Sequence, residues 1–262
     1  MKLPLYQIDA FTDELFSGNP ACVVPLQEWL PDELLLKIAR ENAVAETAFF
    51  VASGKKIHLR WFTPETEMDL CGHATLAAAH TLQSILDYPK KNLVFTTKSG
   101  DLNVLIDNGI YTLDFPSRKP LPTRLPELME KAINIKPAEV LKARDFVLVY
   151  PAEEDIRNIE INRLYFDQLD LGTGGVIFTA KGTNCDFVSR FFTPGASVFE
   201  DPVTGSAHCS LIPYWSEKLN KTVMNAKQIS ERGGNLICAD NGERVLISGK
   251  ARTYSKGFLW TE

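Results

Sequence analysis

Three side chains able to exchange protons or bind a metal fall within five residues, at positions 69–73. Asp69 offers a carboxylate, Cys71 a thiol and His73 an imidazole. A zinc site draws three or four ligands, and the sequence has no second His or Cys pair at metal-ligand spacing. Cys71 and His73 are two residues apart in one turn, where a nucleophile and its base seldom face each other. We therefore expect no metal here, and we expect His73 to orient a substrate or relay a proton.

A second polar group surrounds Gly205. Asp201 stands four residues before this glycine, and Ser206 follows it directly. Ser206 is not in a G-x-S-x-G sequence, so serine hydrolase chemistry gains no support. Asp201 precedes Pro202, a position from which Asp commonly hydrogen-bonds its own turn. A turn role and a functional role are both open for Asp201.

Gly72 and Gly205 each stand at the predicted start of a buried helix. Unpaired backbone N–H groups and the positive end of the helix dipole bind anions at such a position. Two such ends facing one cleft would hold a carboxylate or a developing enolate. The alternative is that each glycine only permits close packing at a tight turn, but its recurrence in both halves favours a functional role.

The chain contains an internal repeat, which is typical of a fold built from two similar units. Residues 48–54 are echoed by residues 176–182, and Arg60-Trp61-Phe62-Thr63-Pro64 recurs as Arg190-Phe191-Phe192-Thr193-Pro194. Aligning the copies places Gly174 opposite Glu46, so the halves differ at the one residue able to titrate. The repeat therefore predicts one-sided chemistry with Glu46 as the single acid/base.

The elements that position these residues follow from apolar periodicity. This periodicity predicts strands at residues 5–10, 48–52 and 57–62. It also predicts a short helix with an acidic first turn at residues 31–39. Residues 72–86 are apolar nearly all round, which predicts a buried helix wrapped by strands. Its counterpart, residues 205–219, contains Pro213, which we expect to kink or interrupt the helix.

A dense run of prolines between residues 116 and 126 suits neither a helix nor a central strand. We place the domain boundary there, with residues 1–116 as the first half and 117–262 as the second. The last strand of the second half can cross back to the first.

Composition excludes several classes of protein. With 262 residues, 45% hydrophobic and 23% charged, the chain is typical of globular proteins, and its net charge of −5 does not favour nucleic acid or anionic membranes as partners. The first five residues lack the apolar stretch of a signal peptide, and no run approaches the roughly 18 apolar residues of a membrane span.

Five widely spaced cysteines without a CxxC pair favour reduced thiols in the cytoplasm. Residues 172–175 fit no nucleotide-binding pattern, so no dinucleotide cofactor is expected.

Six segments together resemble one family, the PhzF-like isomerases of the phenazine biosynthesis type, within the diaminopimelate epimerase superfamily. The resemblance runs over nearly the whole chain. It is carried by Asp9-Ala10-Phe11-Thr12, Gly18-Asn19-Pro20-Ala21, Glu46-Thr47-Ala48-Phe49, Arg60-Trp61-Phe62-Thr63-Pro64, Asp69-Leu70-Cys71-Gly72-His73-Ala74-Thr75 and Asp201-Pro202-Val203-Thr204-Gly205-Ser206.

This resemblance implies an α+β fold of two similar, pseudo-symmetric domains, each a mostly antiparallel mixed sheet rolled around a central helix. It also implies an active site in the cleft between the domains, a homodimer, and no metal or organic cofactor. The glutamate matching Glu46 shuttles a proton in the protein that gives the family its name. The resemblance implies substrate-binding or catalytic roles for Gly72, His73, Asp201, Gly205 and Ser206, and we predict Asp69 as a further substrate-binding residue.

We therefore expect a cofactor-independent isomerase that acts on a small carboxylated metabolite through Glu46. The related racemases use a cysteine before each helix glycine, whereas here Cys71 has Thr204 as its counterpart, which disfavours a dual-thiol mechanism. Two alternatives stay open. One is an amino-acid racemase or epimerase that pairs Cys71 with Glu46, and the other is a catalytically silent module that binds a small molecule or a protein.

Overall fold

The computed structural model describes residues 1–53 and 56–261, so Gly54 of the first repeat lies outside the described residues. The chain divides into two compact units, Met1–Phe115 with Ile247–Glu262, and Pro116–Leu246. The C-terminal segment, counted above with the second half, therefore groups with the first unit. None of the helices in the described part of the chain has the length and apolar character needed to cross a lipid bilayer.

The first unit is built from nine strands and two helices among its described residues. Its strand order is β17-β1-β2-β3-β4-β6-β7-β8, with β5 paired to β4; β2–β3 and β4–β6 are parallel and the other pairs antiparallel. The elements are β1 (Lys2–Ala10), β2 (Asn19–Leu26), α1 (Asp32–Asn42), β3 (Glu46–Ser53), β4 (Lys56–Phe62), β5 (Glu67–Met68), α2 (Gly72–Ser84), β6 (Asn92–Thr97), β7 (Gly100–Asp107), β8 (Ile110–Pro116) and β17 (Ala251–Trp260).

Helix α2 is the centre of this unit. Every residue from Gly72 to Leu82 is buried, as expected for a helix that is apolar all round. His80 of this helix bonds Tyr111 in β8 and Thr253 in β17, at 2.9 Å each. Because β8 and β17 lie at opposite ends of the strand order, the sheet must curl around α2 to reach it from both sides.

Helix α1 packs on the outer face of the same sheet. Its buried residues Leu35, Ile38 and Ala39 follow the spacing of one helical face. They join a cluster that includes Val24 and Phe49 from the adjacent strands. The left-handed residue Ala43 ends the helix, donating its N–H to the Ala39 carbonyl.

The second unit repeats this plan. Its strands pair in the order β9-β10-β11-β12-β13-β14-β15, with β11–β12 and β13–β14 parallel. From β10 to β15, this sequence of parallel and antiparallel pairs matches that from β1 to β7 in the first unit. The elements are β9 (Leu121–Pro122), α3 (Glu127–Ala132), β10 (Glu139–Lys142), β11 (Phe146–Val149), α4 (Glu153–Arg157), α5 (Arg163–Phe166), β12 (Val176–Lys181), β13 (Phe187–Phe192), α6 (Gly205–Leu219), β14 (Val223–Gln228), β15 (Gly234–Asn241) and β16 (Arg244–Gly249), the last of which spans the division between units.

Helix α6 corresponds to α2 and runs unbroken through Pro213, so the expected interruption was wrong. A proline lacks the N–H that would bond the carbonyl four residues earlier, here that of Cys209. The backbone N–H of Arg118 donates to this carbonyl instead, at 2.9 Å. The orphaned acceptor is therefore satisfied from outside the helix, and α6 is buried from Gly205 to Trp215.

Strand register corrects the repeat alignment by one residue. Arg60 lies opposite Phe49 in the first unit, and Arg190 lies opposite Phe178 in the second. Counting back along β3 and β12 places Gly175, not Gly174, at the position of Glu46. A side chain at Gly175 would clash with the Phe191 ring and lie 2.7 Å from the Phe192 carbonyl oxygen. The second unit therefore has no titratable group at the position of Glu46, as predicted, because there is no space for a side chain at Gly175.

Together the two units form the predicted α+β fold, in which each mixed sheet surrounds a central helix.

Candidate functional site

Strand pairing positions the polar cluster in the first unit. Asn19 and Glu46 are the first residues of the parallel strands β2 and β3, and Ala21 pairs with Glu46. Both side chains therefore start from the same end of the sheet. Cys71 is the N-cap of α2 and His73 its second residue. The buried helix thus begins beside the strand ends.

His73 is the centre of the cluster. Its Nε2 lies 3.1 Å from Glu46 Oε2, while its Nδ1 lies 3.1 Å from Asn19 Nδ2 and 3.6 Å from Cys71 Sγ. His73 is 3% exposed, and the Glu46 side chain is 15% exposed. The Glu46–His73 contact is close but not aligned as a hydrogen bond, so neither Oε2 nor Nε2 has such a partner among the described residues.

Two opposing effects set the charge of the imidazole. Burial alone would lower the pKa of His73, but the neighbouring Cys71 sulfur and the Glu46 carboxylate outweigh it and hold that pKa well above 6.5. Burial also raises the pKa of the Cys71 thiol to about 11. Cys71 is therefore a neutral thiol near pH 7 and contributes no negative charge there, which leaves Glu46 as the acidic neighbour of His73.

Asn19 was not identified from the sequence as a site residue. It is fully buried and holds the Nδ1 side of the imidazole, leaving Nε2 to face Glu46. Gly18 before it has φ +69°, and a side chain there would collide with the Ala10 carbonyl oxygen. A glycine with a left-handed backbone immediately before a buried polar residue at a strand start is the signal that could have pointed to Asn19.

The predicted binding residues fall into two groups. Gly72 and His73 lie with Glu46 in the first unit, and Asp69, three residues before the helix, is exposed there. Its carbonyl accepts the Ser99 hydroxyl at 2.7 Å. Asp69 is thus an exposed residue on the loop leading to α2.

Asp201, Gly205 and Ser206 lie together at the start of α6 in the second unit. The Asp201 carboxylate accepts the Thr204 hydroxyl at 2.5 Å, the turn interaction considered above as one of its two roles. Gln228 steadies the same turn, since its Oε1 accepts the Thr204 N–H and its Nε2 donates to the Asp201 carbonyl. Gly205 and Ser206 are buried in the first turn of the helix.

The arginine of the repeated motif has a structural role in both units. Arg60 makes two parallel bonds to Glu67 at 2.8 and 2.9 Å, and Arg190 does the same with Glu200 at 2.7 and 2.9 Å. Such bidentate pairs fix geometry as well as adding energy. The motif therefore identified the repeat rather than the site.

A mixed sheet rolled around a helix, with a half-buried carboxylate and a buried imidazole at the helix start, defines the class of epimerase-like folds. The chain belongs to the phenazine biosynthesis-like (PhzC-PhzF) family, whose model matches residues 8–257.

Similar proteins agree with this assignment. An uncharacterized isomerase of Pseudomonas aeruginosa is 47% identical over 99% of both chains, and a human phenazine biosynthesis-like domain-containing protein is 37% identical with the same coverage. A crystal structure of a PhzF family protein from Enterococcus faecalis superposes with a TM-score of 0.94, at 45% identity and full coverage of both chains.

A more distant structure shares the fold alone. A hydroxyproline epimerase from Agrobacterium vitis matches with a TM-score of 0.63 at 9% identity, over 98% of this chain and 92% of the other. The predicted family and fold are confirmed, and the names of the relatives bear out the predicted isomerase class.

Proposed function

We propose that the chain is a cofactor-independent isomerase in which Glu46 moves a proton between two carbons of a small carboxylated substrate. The observation that carries the proposal is the 3.1 Å contact between Glu46 Oε2 and His73 Nε2 in a nearly buried setting. A general acid/base must hold a proton in one step and release it in the next, and a positioned carboxylate does both. Glu46 retains partial exposure, which a group that reaches substrate requires.

His73 is proposed to orient Glu46 rather than to react itself. Asn19 and Cys71 hold its Nδ1 side, so its Nε2 side is directed at the carboxylate. A ring fixed in this way limits the carboxylate to a few orientations, which lowers the cost of reaching a reactive geometry.

The helix starts at Gly72 and Gly205 support the carboxylated substrate class, because their first backbone N–H groups favour anions. The roles of Asp69, Asp201 and Ser206 in substrate binding stay predictions from the sequence. So do the substrate position between the halves, the homodimer and the cytoplasmic location.

The short distance between the Glu46 carboxylate and the Cys71 sulfur disfavours the racemase alternative. Two bases that act on opposite faces of one carbon each lie about 3–3.5 Å from it, so they stand about 6–7 Å apart. Glu46 and Cys71 have ligand atoms within 4.8 Å of each other, too close for a carbon between them. A neutral, buried Cys71 thiol adds a second obstacle.

Proton exchange in heavy water tests the proposal. Wild type, Glu46→Gln and Glu41→Gln are incubated with carboxylated cyclic dienes and with amino acids, and deuterium incorporation is followed by NMR. Glu41 is an exposed carboxylate on α1 and serves as the matched control. Glu46→Gln should slow exchange by about 10²–10⁴-fold, whereas Glu41→Gln should not. Exchange that survives Glu46→Gln refutes the assignment, and ligand-induced stabilisation without any exchange would favour the binding module.

A further inference from the structure

We propose that Glu46, Cys71 and His73 bind a thiophilic divalent cation of the Zn²⁺ or Cd²⁺ class, which blocks the proposed acid/base. Each residue offers one ligand atom, and these atoms all lie within 4.8 Å of one another. Carboxylate oxygen, thiolate sulfur and imidazole nitrogen are the donors that zinc takes in proteins. The sequence argued against a metal because it has no second His or Cys pair at metal-ligand spacing, whereas the fold adds the Glu46 carboxylate from β3 to Cys71 and His73.

The distances are close to those of a tetrahedral site. Zinc–ligand bonds of about 2.0–2.3 Å separate neighbouring ligand atoms by roughly 3.3–3.6 Å. Here Cys71 Sγ and His73 Nδ1 are 3.6 Å apart, and His73 Nε2 and Glu46 Oε2 are 3.1 Å apart. The two contacts use different ring nitrogens, and a single ion binds only one of them, so one side chain must turn to close a separation of at most 4.8 Å. We expect Glu46 to turn, because its side chain is 15% exposed and that of His73 only 4%.

A second observation also indicates a missing ligand. Glu46 Oε2 and His73 Nε2 are both buried, and neither has a hydrogen-bond partner among the described residues. Buried polar atoms normally form hydrogen bonds, whereas these two meet each other only as a 3.1 Å ion pair, so once His73 has lost its proton both atoms have lone pairs available to a ligand. A cation is such a ligand, because it accepts lone pairs from both atoms at once.

Charge balance favours a divalent ion. On binding, the Cys71 S–H bond and the imidazolium N–H bond of His73 break, sulfur–metal and nitrogen–metal bonds form, and two protons leave to water. Carboxylate and thiolate then carry two negative charges, which the ion neutralises in a buried setting. Three protein ligands leave a fourth position open to water or another small molecule.

The bound ion would occupy the lone pairs that Glu46 uses as a base. Inhibition therefore rests on the proposed function, whereas metal binding does not. A direct binding measurement separates the two.

Cobalt is the probe, because thiolate-to-cobalt charge transfer reports sulfur ligation by absorbance. Co²⁺ titration of the full-length protein should give this band at one equivalent, and Zn²⁺ should abolish it by displacement. Cys71→Ser and Cys71→Ala should lack the band, and Glu46→Gln and His73→Gln should bind at least tenfold more weakly. Cys185→Ser is the matched control, since Cys185 is the more exposed of the free thiols.

The outcomes are decisive in both directions. A band that persists in both Cys71 variants, disappears in Cys185→Ser, or never forms in wild type overturns the proposal. Thermal unfolding of each variant shows whether it is folded, and two variants at Cys71 guard against the loss of one to misfolding. If cobalt binds as described but Glu46→Gln still exchanges deuterium, the metal site stands and the proposed function fails.

Discussion

Each unit carries a buried histidine in its central helix, and from this arrangement we predict that mild acid destabilises the protein. His208 in α6 is fully buried, and its Nδ1 donates to the Thr204 carbonyl at 2.8 Å. Burial lowers its pKa from 6.5 to about 4. His80 in α2 has its pKa lowered to about 4 as well, by burial and then by the charges of Arg252 and Lys256.

The sign of the effect follows from proton counting. Between about pH 6.5 and about pH 4 the unfolded chain protonates each of these histidines while the folded chain does not. Acid therefore favours unfolding in this window. At about 1.4 kcal/mol per pH unit, each histidine removes about 3 kcal/mol of unfolding free energy across the window. His80 lies in the first unit and His208 in the second, so we expect acid to destabilise both units.

Urea unfolding measured from about pH 7 to about pH 4 tests this reasoning. The free energy of unfolding should fall steeply below about pH 6.5, and His208→Gln and His80→Gln should each flatten the slope by about one proton. His58→Gln serves as a control, because His58 is a partly exposed residue of β4. An unchanged slope in both buried variants would show that other groups cause the acid sensitivity.

Three further substitutions test the structural reasoning. Gly175→Ala should cost about 2–3 kcal/mol in urea unfolding, since its Cβ would press on the Phe192 carbonyl, whereas Gly257→Ala, with open space around it, should be nearly neutral. Arg190→Lys should cost about 2 kcal/mol by losing the bidentate pair, and an undiminished midpoint would contradict a structural role. Asn19→Ala should slow deuterium exchange by roughly tenfold, because it removes the side chain that contacts His73 Nδ1.

The sequence by itself determined the duplicated architecture. Helices that are apolar all round can only be buried, so residues 72–86 and 205–219 had to lie at the centre of each half. The recurrence of Arg60 and its motif at Arg190 showed that the halves share a plan. These conclusions depend on local periodicity and self-similarity, which a sequence displays directly.

The sequence also identified Glu46 as the asymmetric group, but it did not determine its counterpart. The matched segments of the two copies differ by two residues in their spacing, which leaves the alignment between them open, whereas hydrogen-bond register between strands resolves it. Register moved the counterpart from Gly174 to Gly175, where backbone and a phenyl ring leave no space for a side chain.

Only the tertiary structure decided what surrounds the acid. Asn19, Glu46 and His73 come from three elements far apart in sequence, and parallel pairing of β2 with β3 at the start of α2 brings them together. Likewise, Pro213 is tolerated because the distant Arg118 N–H bonds the carbonyl it leaves free. Both facts depend on contacts between separated segments, and no local pattern encodes a partner that only folding brings near.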